Sequence, residues 1–143
     1  MAANFEFKPD ERINESELSK KLGASRTPLR EAMNRLVAEG LLVFEGGRGF
    51  FCQSLNPELV VNLYELREAL EIGAIRHVVE RATDAELEDL RLFLEETSEV
   101  YTDKARAREI VSIDEAFHLK LAKLAKNPEL LKSVELVYER IRY

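Results

Sequence analysis

The chain has 143 residues, of which 45% are hydrophobic and 34% are charged, and this composition is typical of a folded, helix-rich protein rather than a disordered one. Its single cysteine, Cys52, excludes an intrachain disulfide, and no apolar run approaches the ~18 residues that cross a membrane, so we expect a cytoplasmic protein. The net charge of -6 is unevenly spread, because residues 1–54 have eight basic and eight acidic side chains and residues 55–143 have thirteen against nineteen. The first part can therefore approach an acidic partner such as nucleic acid.

Two short helices with a tight turn between them are predicted first. Asn14 is a good N-cap, with Glu17 three residues later, and the helix that it begins is expected to end at Gly23, which adopts a positive φ without strain. Its Leu18 and Leu22 are expected to face inward.

The second helix is predicted to have Ser25 as its N-cap and to end at Gly40. Its apolar stripe at helical spacing consists of Leu29, Ala32, Met33, Leu36 and Val37.

Polar residues at the start of this second helix suit contact with DNA. Arg26 and Arg30 are four residues apart and project from one face, and an arginine fork can pair with guanine O6 and N7 in the major groove. The hydroxyl groups placed to donate to phosphates belong to Ser25 and Thr27. The alternative is a solvated helix face on which Arg30 pairs with Glu31, or Arg26 with Glu17.

Two β-rich runs, LLVFE and FFCQ, flank the glycine-rich tip GGRG and predict a hairpin. Helix, turn, helix and hairpin in this order predict a winged helix-turn-helix. We expect Gly47 to let the backbone approach phosphates and Arg48 to favour a narrow minor groove, although a plain hairpin turn explains the glycines equally well. Arg35 is expected to be a phosphate contact at most.

Four helices are predicted after the hairpin, which gives a mainly α protein in which the winged domain precedes an antiparallel helical bundle. The predicted spans run from Pro57 to about Ala82, from a capping box at Thr83–Glu86 toward Tyr101, from Lys104 to Lys126, and from Pro128 to the end. In the first of these helices, the residues expected on one inner face are Leu59, Leu63, Leu66 and Leu70. We place the winged domain at residues 1–54 and the bundle at residues 55–143.

Asp114 and His118 are four residues apart on the third predicted bundle helix, so their side chains share one face and suit a divalent cation such as zinc. The alternative is a hydrogen bond between them or a solvated pair. Arg67 suits the carboxylate of an organic acid, or else a helix pair with Glu71. His77, on a different helix, is expected to be a packing or surface residue.

The run SELSKKLGASRTPLREAMNRLVAEGLLVFEGGRGFF resembles the winged helix-turn-helix of GntR-type bacterial transcription regulators. The segments LYELREALE, DEAFHLKLAK and NPEL resemble the all-helical effector domain of the FadR branch, called FCD. The resemblance implies that Arg26, Thr27 and Arg30 occupy DNA-contacting positions. It also implies that Asp114 and His118 match metal ligands, which in relatives are joined by two histidines from later helices.

The resemblance also exposes two departures. Family members have one more helix at the start, and their bundle continues for two or three helices, so we expect the first helix to be missing and the bundle to be partial. A full-length relative would hold a divalent metal such as zinc or nickel, whereas two ligands rarely hold a metal, and we expect none bound by this chain.

We therefore predict a metabolite-responsive repressor that binds a palindromic double-stranded DNA operator as a dimer or higher homo-oligomer, with a small organic acid as effector. No glycine loop for nucleotides, CxxC pair or nucleophilic triad suggests an enzyme. The alternative is a truncated helical interaction module with impaired DNA binding. In it, apolar side chains would be uncovered on the winged domain and on the bundle, namely Leu18, Leu22, Leu36, Val37, Leu63, Leu66, Phe117 and Leu121.

Overall fold

The computed structural model describes residues 7–102 and 106–142, so the predicted helix start at Lys104 lies outside the described part. The elements in chain order are α1 (Glu15–Leu22), α2 (Arg26–Ala38), β1 (Leu42–Glu45), β2 (Gly49–Cys52), α3 (Pro57–Arg81), α4 (Asp84–Thr97), a 3-10 helix (Ser98–Thr102), α5 (Ala107–Leu124) and α6 (Pro128–Arg142). The prediction of a mainly α protein with a small hairpin between two groups of helices is confirmed.

The chain divides into two compact units. Among the described residues, one unit contains those up to Leu63 together with those from Glu139 onward, and the other contains those between Tyr64 and Tyr138. No helix within the described ranges is both long and apolar enough to cross a membrane.

Local signals fix the two helices of the first unit. Asn14 Oδ1 accepts hydrogen bonds from the backbone amides of Ser16 (3.1 Å) and Glu17 (3.2 Å), as its position before α1 predicts. Gly23, with a φ of 62°, ends α1 in the left-handed conformation. Ser25 occupies the N-cap position of α2, but its side chain makes no capping hydrogen bond, so the predicted cap is wrong in this respect.

The core of the first unit joins the helices to the hairpin. Its buried side chains are Ile13, Leu29, Met33, Leu42, Phe50 and Cys52. Within the predicted stripe of α2, Leu29 and Met33 are buried, Leu36 and Val37 are partly buried, and Ala32 is exposed. Leu22 was expected to face inward but is 42% exposed. It is the last residue of the short α1, and the contact of this helix with the core is made by Leu18, one turn earlier.

The hairpin is antiparallel, and its register pairs Leu42 with Cys52 and Glu45 with Gly49. The turn between the strands uses positive φ at Gly47 (76°) and Gly49 (99°), which only glycine adopts cheaply. A short extended segment at Arg12 lies against Phe51 on the other side of β2.

The second unit is helical, and small and branched apolar side chains hold α3, α5 and α6 together. One cluster has Ala74, Val78 and Ala125 at its centre, and a second has Ala122, Val134 and Tyr138. Thr83 and Glu86 form the predicted capping box at the start of α4.

Two predictions in the helical half are corrected. Leu63 and Leu66 were both expected on the inner face of α3, but only Leu63 is buried and Leu66 is 44% exposed. Leu63, Leu70 and Ala74 are seven and four residues apart and share one face of the helix, and Leu66 lies outside that face. The second bundle helix ends at Thr97 and passes into a 3-10 helix instead of continuing toward Tyr101.

Candidate nucleic-acid interface and effector site

The first turns of α2 present the predicted DNA-contacting side chains to solvent. All four residues, Ser25, Arg26, Thr27 and Arg30, are exposed. Arg26 Nη2 donates to Ser16 Oγ at 3.2 Å, and Arg30 Nε lies 3.7 Å from Glu15 Oε2. The partners are therefore on α1, and neither of the pairs considered from the sequence, with Glu17 or Glu31, forms.

Arg48 lies at the tip of the hairpin, where it is 69% exposed. Its guanidinium donates to Glu45 and lies 5.0 Å from the centre of the Phe51 ring. These contacts hold the side chain along the hairpin, although an exposed pair of this kind contributes little stability and exchanges readily for another anion. Gly47 precedes it at the exposed tip, whereas Arg35 lies in the last turn of α2, away from Arg26.

A second polar site lies inside the helical unit and is centred on Glu71. We call its five members, Arg67 and Glu71 of α3, Asp114 and His118 of α5, and Tyr138 of α6, the Glu71 cluster. Arg67 Nε donates to Glu71 Oε1 at 2.8 Å, and the Tyr138 hydroxyl donates to the same oxygen at 2.9 Å.

The histidine and the aspartate complete this cluster. His118 Nδ1 lies 3.0 Å from Glu71 Oε2, and this approach is a close polar contact rather than a well-directed hydrogen bond. Arg67 Nη2 is 3.1 Å from His118 Nε2 and 3.9 Å from Asp114 Oδ2. Arg67 also lies over the Tyr138 ring, 4.8 Å from its centre.

These contacts set the protonation states of the cluster. Burial alone would raise the pKa of Glu71, but contacts with His118, Arg67 and Tyr138 outweigh it and lower the pKa to about 2. Burial and the bond to the Glu71 carboxylate raise the pKa of Tyr138. At neutral pH, Glu71 is therefore an ionised carboxylate that ties three helices together.

The cluster as placed does not fit a divalent metal. The Arg67 guanidinium lies beside both His118 Nε2 and Asp114, the two side chains predicted as ligands, so a positive group already faces them. Within residues 7–102 and 106–142, no group of three or more His, Cys, Asp or Glu side chains is arranged to hold a metal ion. The match of Asp114 and His118 to metal ligands of a full-length relative stays a prediction, and so does the expectation that this chain itself binds no metal.

The sequence analysis considered Glu71 only as a helix partner of Arg67 and did not single out Tyr138. A signal for Tyr138 was available, because a tyrosine in a buried stripe needs a hydrogen-bond partner for its hydroxyl. His77 was expected to be a packing or surface residue, and its Nδ1 lies 3.7 Å from Glu80 on the same helix.

Comparisons with known proteins extend these observations. Residues 3–52 match the family described as bacterial regulatory proteins of the gntR family, and residues 62–143 match the FCD domain. The chain is 48% identical over 143 residues to the Nta operon transcriptional regulator of Aminobacter aminovorans and 37% identical to the uncharacterized HTH-type transcriptional regulator YdhC of Bacillus subtilis. It spans 67% and 64% of the length of these two relatives.

A solved structure agrees with these matches. E. coli McbR/YncC superimposes with a TM-score of 0.73 and 26% sequence identity, over 98% of this chain and 66% of that protein. The two curated relatives are named as transcriptional regulators and not as enzymes, which agrees with the prediction of a non-catalytic protein. The chain therefore belongs to the GntR family of bacterial regulatory proteins, and its C-terminal part is an FCD domain.

Proposed function

We propose that this chain is the DNA-reading and effector-sensing part of a transcriptional regulator that binds a palindromic operator as a dimer. The observation that carries the proposal is the exposed pair Arg26 and Arg30 at the start of α2, in the same compact unit as the exposed Arg48 hairpin. A helix of this kind enters a major groove with its N-terminal residues at the base edges. The cytoplasm is the compartment that this function requires.

The contacts of the two arginines support this role. Arg26 is held by a neutral hydroxyl and Arg30 by a carboxylate at 3.7 Å, so both guanidinium groups are oriented but only loosely held. An exposed ion pair contributes at most about 1 kcal/mol, and a hydrogen-bonded arginine–guanine pair is worth about 1–3 kcal/mol of base discrimination. DNA can therefore replace these partners with a net gain.

The Glu71 cluster supports an effector with a carboxylate. Arg67 Nε donates to Glu71, and Arg67 Nη2 lies toward His118 and Asp114. This side of the cluster is the more exposed one, because the Asp114 side chain is 45% exposed. An organic acid would compete with Glu71 and Asp114 for this guanidinium. It would regulate DNA binding only by binding one arrangement of the regulator better than another.

Self-association has support on α3. Ile72, Ile75 and Val79 lie on one face at spacings of three and four residues and are 46%, 47% and 82% exposed. Exposed apolar surface at helical spacing favours contact with a second copy, and a two-fold dimer reads a palindrome.

The test begins with selection of a duplex from a pool of random DNA by the purified chain. Fluorescence anisotropy with this duplex should show tight, salt-sensitive binding by two chains per duplex. Arg26→Ala should weaken binding by about 1–3 kcal/mol and relax the base preference at one position of each half-site.

The control is Arg108→Ala, which removes an exposed arginine of α5 in the other unit and should leave affinity and base preference unchanged. If the wild-type chain binds the selected duplex no better than Arg26→Ala does, the DNA-reading proposal is wrong. A chain that then still self-associates would instead be a helical interaction module.

A further inference from the structure

We infer that Arg12 is a further DNA contact, which donates to a backbone phosphate held in a cleft between the start of α1 and the start of β2. The inference rests on the proposed DNA binding. It adds a residue that belongs neither to α2 nor to the tip of the hairpin.

The cleft has a volume of about 500 Å³ and is open to solvent. Its wall includes Arg12 from the extended segment before α1, Asn14 and Ser16 from the start of α1, Arg26 from the start of α2, and Gly49 from β2. It therefore lies where α2, α1 and the hairpin meet.

Backbone hydrogen bonds fix the position of Arg12. The amide of Ile13 donates to Phe50 O at 2.8 Å, and the amide of Cys52 donates to Glu11 O at 2.9 Å, so the residues on both sides of Arg12 pair with β2. The backbone of Arg12 is consequently held in place by hydrogen bonds, as the hairpin is, and its side chain is the part that can move to meet a ligand.

The side chain of Arg12 lies against the backbone of Gly49. A Cβ atom at position 49 would be 3.9 Å from Arg12 Nε and 4.0 Å from Arg12 Nη2. The guanidinium therefore extends along the start of β2. Because Gly49 has no side chain, nothing at that position stands between the guanidinium and solvent.

The charge of the cleft favours an anion. Within the described residues, the exposed Arg12 has no ion-pair or side-chain hydrogen-bond partner, and Arg26 contributes a second guanidinium bound only to the Ser16 hydroxyl. Glu15 also lines the cleft, but its carboxylate lies 3.7 Å from Arg30 Nε and is offset by it. Two arginines thus line the cleft beside one carboxylate that a third arginine offsets, and a phosphate oxygen would supply the missing acceptor.

The position of the cleft points to a phosphate rather than a base edge. In a duplex, the sugar-phosphate backbone is the ridge between the major and minor grooves. When α2 lies in the major groove and the hairpin tip follows the adjacent minor groove, a cation between them meets that ridge. Phosphate contacts of this type fix the register of a protein on DNA without reading sequence.

The test uses Arg12→Gln in the full chain with the duplex selected by the wild type and a shuffled duplex of the same length. Loss of one phosphate contact should reduce the slope of log K against log salt by about one unit and weaken binding to both duplexes by the same factor. Ethylation interference should lose its signal at one phosphate of each half-site. Arg12→Lys should restore most of the salt slope, because it keeps the charge.

Arg108→Gln is the matched control, since it removes one exposed arginine from the other unit and should keep the wild-type slope. Circular dichroism spectra that superimpose on the wild-type spectrum will establish that Arg12→Gln is folded. If Arg26→Ala weakens binding while Arg12→Gln keeps the wild-type slope and ethylation pattern, the inference about Arg12 is wrong and the proposed function stands. If the wild-type chain does not bind DNA and the variants behave in the same way, the proposed function itself fails.

Discussion

At the scale of single residues, Glu71 shows how one carboxylate organises a site. It accepts hydrogen bonds from Arg67 and Tyr138 and lies 3.0 Å from a nitrogen of His118. A partly buried carboxylate with one neighbour would be costly, but several positive or donating neighbours make its ionised form the favoured one. The same contacts orient the guanidinium of Arg67, which we propose as the contact for an acidic effector.

The pKa of Glu71 gives a test of this arrangement. Because the folded pKa of about 2 is below the ordinary value of 4.5, ionised Glu71 stabilises the fold fully above pH 4.5, and this contribution is lost as the pH falls toward 2. Glu71→Gln should therefore lower the free energy of unfolding at pH 7 by on the order of 2–3 kcal/mol and flatten its decline between about pH 5 and pH 2. Urea unfolding followed by circular dichroism measures both effects.

Glu68→Gln is the control, because Glu68 is an exposed carboxylate on the same helix. It should reproduce the wild-type dependence on pH. If Glu71→Gln loses as much stability in acid as the wild type does, Glu71 is not the carboxylate that the cluster stabilises.

At the scale of the elements, the hairpin depends on its turn. A methyl group added at Gly46 or at Gly47 would meet open space, but only Gly47 has a positive φ, of 76°. Gly47→Ala should weaken the hairpin by about 1 kcal/mol, since an L-residue is strained there, whereas Gly46→Ala should be neutral or slightly stabilising.

Amide hydrogen exchange of β1 and β2 will measure this difference, with Gly46→Ala as the matched control. Faster exchange of the paired strand amides is expected in Gly47→Ala alone. Equal exchange rates in the two variants would contradict the proposed role of the backbone angle.

At the scale of the whole molecule, charge separates the two proposed tasks. Residues 1–54 carry no net charge and residues 55–143 carry all of the net -6, so the half proposed to read DNA repels the phosphate backbone less than the helical half does. Coupling of the two halves through an effector would change DNA affinity by about 5- to 150-fold, and DNA would change effector affinity by the same factor.

This coupling can be measured with acetate, lactate, succinate and citrate as carboxylate probes. Anisotropy titrations with the selected duplex should shift in the presence of at least one of these acids, and Arg67→Ala should abolish the shift while keeping DNA affinity. Arg108→Ala, an exposed arginine of α5 in the same unit, should respond as the wild type does. A shift that persists in Arg67→Ala would exclude this arginine as the contact for the acid.

The sequence by itself determined the local structure of the chain and its family. Asn14, Gly23 and the Thr83–Glu86 box act within three or four residues, and the hairpin turn at Gly47 acts on its neighbours, so their signals are complete in the sequence. Tertiary structure alone decided which polar groups meet. Tyr138 and Glu71 are 67 positions apart, and Arg67 and His118 are 51 apart, so their contacts depend on how α3, α5 and α6 pack. Packing likewise brought Arg12 beside Gly49, because pairing with β2 is a long-range choice that no local pattern encodes.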